Sequence, residues 1–367
     1  MEPKRILQVV TIMNRGGLET MLMNYYRKLD KTKYQFDFLV HREEKGVYDD
    51  EIKALGGRIY KAPRIFPTNY GKYKSFLKNF LKEHNEFIAI HSHLQENSGF
   101  VLYYAKQICP KVVRISHSHT AKNCYDIKYP FKVYSNLYLK KAEQVRLSCG
   151  VDAGYILYKE KGFTVLKNAI DTEQFRFNMA DRQAVRREWG VSDDEILVGN
   201  VARFSPMKNH NFIIDLCKNT DKKYKFMAVG TGELKERTEH KVKQKELKDR
   251  FIFTGLRADV ERYLSAMDIL IMPSLYEGIP VSGIEAQANG LTCLFSDRVD
   301  RRTDITGNCS FIPLQINAWK KAIECADTIH KDVTKAVVNS GYDVTANMEY
   351  LLKVYEGKSD ITGKLID

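Results

Sequence analysis

The chain has 367 residues, 44% hydrophobic and 28% charged, enough for two cores of ordinary size and too polar for a bundle of membrane spans. No stretch approaches eighteen uninterrupted apolar residues, so no transmembrane helix is expected. The formal charge of +12 is lopsided: residues 1–171 hold 29 Lys and Arg against 17 Asp and Glu, whereas residues 172–367 hold 29 of each.

A basic first half attracts anionic lipid and nucleic acid through the same physics. No interleaved aromatic-and-basic module and no helix-turn-helix signal accompanies the charge, so nucleic acid is not an expected partner. Seven cysteines (109, 124, 149, 217, 293, 309, 325) stand without a C-x-x-C pair. The expectation is reduced, cytoplasmic thiols, with neither a disulfide framework nor a zinc site.

Residues 1–13 lack the charged-then-apolar layout of a signal peptide, and residues 5–12 read as a first strand. Asn14-Arg15-Gly16-Gly17-Leu18-Glu19 follows, then a helix with Leu18, Met21, Leu22, Tyr25, Tyr26 and Leu29 on one stripe. Two glycines between a strand and a helix N-terminus let backbone approach a ligand and aim amides at an anion, although Gly-Gly taken alone is a weak signal and reads better as an ordinary tight turn. Tyr34–Val40 reads as a strand, 49–55 as a helix and 58–61 as a strand. A basic amphipathic helix is expected over 70–84, with Tyr73, Phe76, Leu77, Phe80 and Leu81 on one face and Lys72, Lys74, Lys78 and Lys82 on the other. It is either a membrane-surface contact or a core helix with a solvated basic face.

Phe87–His91 reads as a strand ending in His91-Ser92-His93; after a helix (97–109), strand Val112–Ser116 ends in His117-Ser118-His119-Thr120. Both pairs fall at carboxyl ends of strands, where sites form in open α/β sheets. The members of each His-x-His pair are expected to point oppositely, and no third ligand type accompanies them, so no metal site is expected. A helix (131–142), residues 142–149, a short helix and residues 163–171 close the first half.

The alternation resumes with Ile196–Arg203, whose end carries Arg203 and, before a helix over 209–219, Lys208. Two cations at a strand end beside a helix N-terminus make a diphosphate-binding arrangement. Lys225–Gly230 leads into Gly230-Thr231-Gly232, and Phe251–Leu256 contains Thr254-Gly255. A short helix (259–266) precedes the apolar run Ile269–Met272, read as a central strand, and then Pro273-Ser274-Leu275-Tyr276-Glu277-Gly278-Ile279-Pro280 enters a helix over 281–289 that carries Glu285. Two carboxylates at such an entrance suit a neutral polyol, because each accepts directed hydroxyl hydrogen bonds. A glycosidase-like catalytic pair fits poorly, since this spacing suits gripping one extended ligand better than flanking one bond. Strands at 292–296 and 309–313, helices at 317–330 and 333–355, and a tail over 357–367 complete the expected elements.

Strand, Pro-Ser, Glu-Gly, seven residues between Glu277 and Glu285, then Glu-Ala on a helix resembles the Glu-x7-Glu signature of retaining nucleotide-sugar glycosyltransferases of family 4. Residues 165–171 likewise resemble that family's Val-Ile-x-Asn-Gly-Ile-Asp hinge, with Ala169 in place of the glycine. The resemblance implies the α/β GT-B fold, two Rossmann-like domains facing each other across a cleft, with the C-terminal helix crossing back to the first. It implies an acceptor-binding domain over 1–173, a donor-binding domain over 174–340, and the returning helix and tail over 341–367.

By the same resemblance Gly16 and Gly17 face the donor phosphates, although Leu18 stands where a small residue is often seen. His117 or His119 contacts the donor sugar near the reacting carbon. Arg203 and Lys208 grip the diphosphate and stabilise its departure, and Gly230 and Gly232 lie near the donor. Thr254 and Gly255 border the nucleobase. Glu277, with Gly278, Ile279 and Pro280 beside it, holds the sugar, and Glu285 holds the ribose diol. The resemblance also implies retention of configuration. The sequence shows no Asp-x-Asp motif, so neither a metal nor a cofactor is expected. The donor is a nucleoside-diphosphate sugar, UDP-linked by family frequency. The acceptor is a glycan or lipid-linked saccharide in bacterial capsule, exopolysaccharide or O-antigen assembly. The implied location is the cytoplasm or the inner face of the plasma membrane, reached through the basic first half. Rival readings are a sugar-nucleotide epimerase of the same fold and a non-catalytic sugar-nucleotide-binding relative; Arg203, Lys208, Glu277 and Glu285, all intact, argue against the latter.

Overall fold

Short apolar strands alternate with amphipathic helices, and each strand pair is parallel. The computed structural model describes all residues except 1, 15, 121–128, 161 and 365–367, and Cys124 lies outside the described residues. The chain divides into a unit of residues 1–169 with 344–367 and a unit of residues 170–343.

The first unit contains β1 (Lys4–Val9), α1 (Gly17–Lys28), β2 (Tyr34–Val40), α2 (Asp49–Ala54), β3 (Ile59–Lys61), α3 (Tyr70–Glu83), β4 (Phe87–Ser92), α4 (Ser98–Ile108), β5 (Val113–Ser118), α5 (Tyr129–Ala142), β6 (Val145–Ser148), α6 (Val151–Tyr158) and β7 (Thr164–Val165). Its sheet runs β3-β2-β1-β4-β5-β6-β7. The strand order reverses between β1 and β4, which opens a crevice beyond their carboxyl ends. The apolar face of α3 is not free for a membrane: Tyr73, Leu77, Phe80 and Leu81 are buried in the core with Phe100 and Leu139, and only the lysine face meets water.

The second unit contains α7 (Met179–Glu188), β8 (Ile196–Val201), α8 (His210–Asn219), β9 (Tyr224–Val229), α9 (Lys235–Gln244), β10 (Phe251–Gly255), α10 (Val260–Ala266), β11 (Ile269–Met272), α11 (Val281–Ala288), β12 (Thr292–Ser296), β13 (Cys309–Ile312), α12 (Ile316–Glu324) and α13 (Thr334–Asn339). Its sheet runs β10-β9-β8-β11-β12-β13, so the reversal lies between β8 and β11. All four residues of β11 are buried, as a strand covered on both faces requires.

The expected helix over 333–355 is two helices. Gly341, at φ +77, turns the chain between α13 and α14 (Val344–Tyr355). The stretches entering and leaving the second unit pair there, with the Ile170 amide donating to Tyr342 O at 2.8 Å. α14 then joins the first unit's core through Val344, Met348, Leu351, Val354 and Tyr355. Residues 356–364 fold back instead of trailing: the Arg146 amide donates to Ile361 O at 3.0 Å, and the Tyr350 hydroxyl donates to Gly363 O.

Helix α7 has no counterpart among the expected elements. It is held by charge rather than by an apolar stripe. Arg182 and the buried Arg186 reach the Asp268 carboxylate at 2.6 and 3.0 Å. Asp268→Ala would strand two guanidinium groups, one of them buried, and is expected to cost about 3–5 kcal/mol of stability in urea unfolding. Among the described residues six cysteines are free, and no helix is long and apolar enough to cross a membrane.

Candidate active site

In the second unit the loops after β8 and β11 are tied together by their backbones. Asn209 takes a left-handed conformation (φ 55), and its side-chain amide donates to Pro273 O at 3.1 Å. The Leu275 amide donates to Met207 O at 2.8 Å. These bonds bring Lys208 against Glu277, and the two form an ion pair with side chains only 20% and 17% exposed. Glu277 is fixed from its other side, its amide donating to Arg298 O at 3.3 Å and its carbonyl accepting from Asp300 at 3.2 Å.

Pro280 precedes the first turn of α11, which has no side-chain cap, and Glu285 lies one turn further in, half-buried. Burial, and secondarily repulsion from Glu261, raises the Glu285 pKa to about 7. Gly278 is exposed, with open space where a side chain would stand, and Ile279 packs partly against the core.

Arg203 is exposed and donates to Glu233 from Nε at 3.1 Å. The turn carrying Glu233 lies directly on the chain after β8. A Cβ at Gly230 (φ +142) would stand 2.1 Å from Ala202 O, and one at Gly232 (φ +158) 2.5 Å from Phe204 O. These two glycines are therefore required by backbone packing as well as by conformation. The Gly230 amide donates to Gly255 O at 2.9 Å, and the Thr254 hydroxyl donates to the same carbonyl at 3.1 Å. Arg203, Gly230, Gly232, Thr254 and Gly255 thus form one connected edge. Glu233, which sequence reasoning passed over, belongs to it.

In the first unit Gly16 and Gly17 form the exposed entrance of α1. Gly16 is extended (φ −136), and a Cβ there would meet only the movable Glu19 carboxylate, at 2.4 Å, so neither backbone strain nor rigid packing requires glycine.

The expectation that each His-x-His pair splays is wrong. Residues i and i+2 of a strand share a face, and the four rings gather, with centroids 4.1 Å apart for His91 and His93 and 4.0 Å for His117 and His119. His91 Nε2 lies 3.2 Å from His117 Nδ1, and His93 Nδ1 lies 2.9 Å from His119 Nε2. Burial lowers all four pKa values, that of His119 to about 3, so the rings are neutral. Gln8 and Tyr355, also missed from the sequence, contact His93 and His91 at 3.0 Å each.

Cations at the end of one strand and carboxylates at the end of its neighbour can take a ligand that is anionic at one end and rich in hydroxyls at the other. Residues 181–323 match the family model described as Glycosyl transferases group 1. Across its length, the chain is 35% identical to the Bacillus subtilis (strain 168) protein named as glycosyltransferase EpsF, covering 96% of each. The chain belongs to the group 1 glycosyltransferases. A 140-residue stretch of this glycosyltransferase, 36% of each chain, is 29% identical to the Escherichia coli UDP-Gal:alpha-D-GlcNAc-diphosphoundecaprenol alpha-1,3-galactosyltransferase. Its fold is that of Anabaena Alr3699/HepE, solved with UDP-glucose, at a TM-score of 0.73 and 16% identity over 96% of this chain and 99% of that one. The glycosyltransferase thus has the GT-B fold, with a parallel, Rossmann-like sheet in each unit.

Proposed function

We propose that this glycosyltransferase is a retaining, metal-independent enzyme of family 4 that moves a sugar from a UDP-sugar to a hydroxyl of a glycan or lipid-linked saccharide during polysaccharide assembly. The observation that carries the reading is the pairing of Lys208 with Glu277 at the switch point of the second sheet, with Arg203 on the adjoining edge. In transfer the bond between the anomeric carbon and the diphosphate breaks. Negative charge grows on the leaving phosphate and positive charge on the sugar ring. Arg203 and Lys208 would stabilise the former, with the α11 N-terminus adding amide dipoles. Glu277 would orient sugar hydroxyls, and Glu285 the ribose diol. The acceptor hydroxyl would attack on the face the diphosphate leaves, its proton passing to a phosphate oxygen.

HepE, solved with UDP-glucose, supports a uridine donor, and the E. coli relative, named for a diphosphoundecaprenol substrate, supports a lipid-linked acceptor. The second unit would take the donor and the first the acceptor. The first unit also exposes Val133, Tyr134 and Leu137 on α5, near Lys140 and Lys141 on the same helix, a mixture that suits contact with an anionic bilayer.

A thermal-shift panel of UDP-glucose, UDP-galactose, UDP-N-acetylglucosamine, GDP-mannose, UDP and GDP, run in chelator, tests the donor. A ligand at 100 times its Kd stabilises by about 2.7 kcal/mol. The expected result is a shift with UDP and one UDP-sugar, lost in Arg203→Ala. A shift that needs added Mg²⁺ or Mn²⁺ would rule out metal independence, and an epimerised nucleotide-sugar formed without acceptor would rule out transfer.

A further inference from the structure

We infer that Gln8 and Tyr355 fix the proton positions on the four buried histidines, so that the first unit offers a saccharide one N–H donor, at His117 Nε2, and one lone-pair acceptor, at His119 Nδ1. The identity of the ligand rests on the glycosyltransferase reading; the proton positions do not.

The first branch of hydrogen bonds starts at Gln8, which stands opposite His91 in the β1–β4 register. Its amide N–H donates to the Tyr355 hydroxyl oxygen at 3.0 Å. Its carbonyl oxygen can only accept, so the His93 nitrogen 3.0 Å away, Nε2, carries the hydrogen. His93 is neutral, which leaves a lone pair on Nδ1, and that lone pair accepts from His119 Nε2–H at 2.9 Å. His119 is then left with a lone pair on Nδ1.

The second branch runs the other way. The Tyr355 oxygen accepts from Gln8, and the buried hydroxyl hydrogen needs an acceptor, which His91 Nδ1 supplies at 3.0 Å. His91 therefore holds its proton on Nε2 and donates to His117 Nδ1 at 3.2 Å. His117 is left with its proton on Nε2. One amide orientation thus sets both branches, and all four rings share the Nε2–H form.

Among the described residues the two end atoms, His117 Nε2 and His119 Nδ1, are buried without a hydrogen-bond partner. Each such atom carries an uncompensated desolvation penalty until something bonds to it. Neighbouring sugar hydroxyls match the pair, because a hydroxyl both donates and accepts. A sulfate or diphosphate-diester oxygen matches only half of it, since it has no hydrogen to give His119 Nδ1. A metal fits less well. His91, His93 and His117 offer nitrogens spread over as much as 4.8 Å. Tetrahedral zinc with bonds of 2.0–2.1 Å needs them about 3.3 Å apart.

The test is a long-range ¹H–¹⁵N spectrum of full-length protein labelled at histidine, with the signals of the five other histidines removed by His41→Gln, His84→Gln, His210→Gln, His240→Gln and His330→Gln, one variant at a time. Four rings in the Nε2–H form, unchanged down to pH 5.5, are expected. Any of the four in the Nδ1–H form overturns the proposal. So does a stoichiometric shift of all four on adding Zn²⁺ alone. In Tyr355→Phe the His91 and His117 rings should lose their fixed form while His93 and His119 keep theirs; an equal response from all four, or none, overturns the role of Tyr355. The UDP-sugar that gives a thermal shift should move the His117 and His119 signals, and sulfate should not. Absence of sugar transfer would defeat the functional reading while leaving the proton positions to be decided by the spectra.

Discussion

Lys208→Met is expected to lower kcat by about 10²–10³-fold, the loss typical of removing one preorganised group that meets transition-state charge. The side chain is only partly exposed and its partner is Glu277, so two losses coincide. The leaving diphosphate loses a cation, and Glu277 loses the contact that aims it. Glu277→Gln should cost a similar factor for the complementary reason. Because each side chain holds the other, the double variant is expected to be no more than about threefold worse than the poorer single variant, as with other groups that act as a unit. Single-turnover rates with saturating UDP-sugar measure this directly. A double variant showing the product of the two single losses would mean that the pair exists only in the empty enzyme and that the two groups act separately during transfer.

Glu285→Gln is expected to make the empty enzyme more stable at pH 8 and to weaken donor binding about 10–100-fold, the range for losing hydrogen bonds to a charged acceptor. The native carboxyl titrates near 7, raised by burial and by Glu261, whereas an unfolded glutamate titrates at about 4.3. A raised carboxyl pKa means that the folded state holds its proton longer. The associated stability is present below about pH 4.3, is lost as pH rises, and is fully lost above about pH 7. The variant has no such loss, so its unfolding midpoint should exceed wild type at pH 8 and match it at pH 4.5. Donor affinity runs the opposite way in wild type. The ribose diol needs the ionised carboxylate, so UDP should bind more tightly as pH rises through 7, and this dependence should vanish in the variant. An unfolding midpoint in Glu285→Gln that falls at pH 8 would show that the carboxylate is paired in the empty enzyme after all.

The strands around both switch points were legible because their signal is local. Ile269–Met272 is apolar throughout and bounded by Pro273, and the structure makes it β11 with the same ends. Glu277 and Glu285 were legible from spacing on a known pattern. Helix α7 was not. Its sequence, MADRQAVRRE, buries little besides Val185 and the stem of Arg186, so it has no apolar stripe to detect. Its support comes from Asp268, which is 82 positions away from Arg186 and invisible to any local window. The histidine cluster was partly within reach: the two-residue period of a strand places His91 with His93 and His117 with His119, and a glutamine amid the apolar residues of β1 marks a buried polar contact. Tyr355 carried no signal, since its contact to His91 spans 264 positions.

The chain does not finish its units in the order in which it writes them. The first unit's core includes Val344, Met348, Leu351, Val354 and Tyr355, so part of its apolar face stays uncovered until residues 344–355 have been written. Residues 170–343 form their own core from one continuous stretch. At about 5–20 residues per second of synthesis, the interval between writing β7 and writing α14 lasts roughly ten to forty seconds. A chain cut short of α14 would lack these five residues of the first unit's core, and its first unit is expected to need chaperone protection.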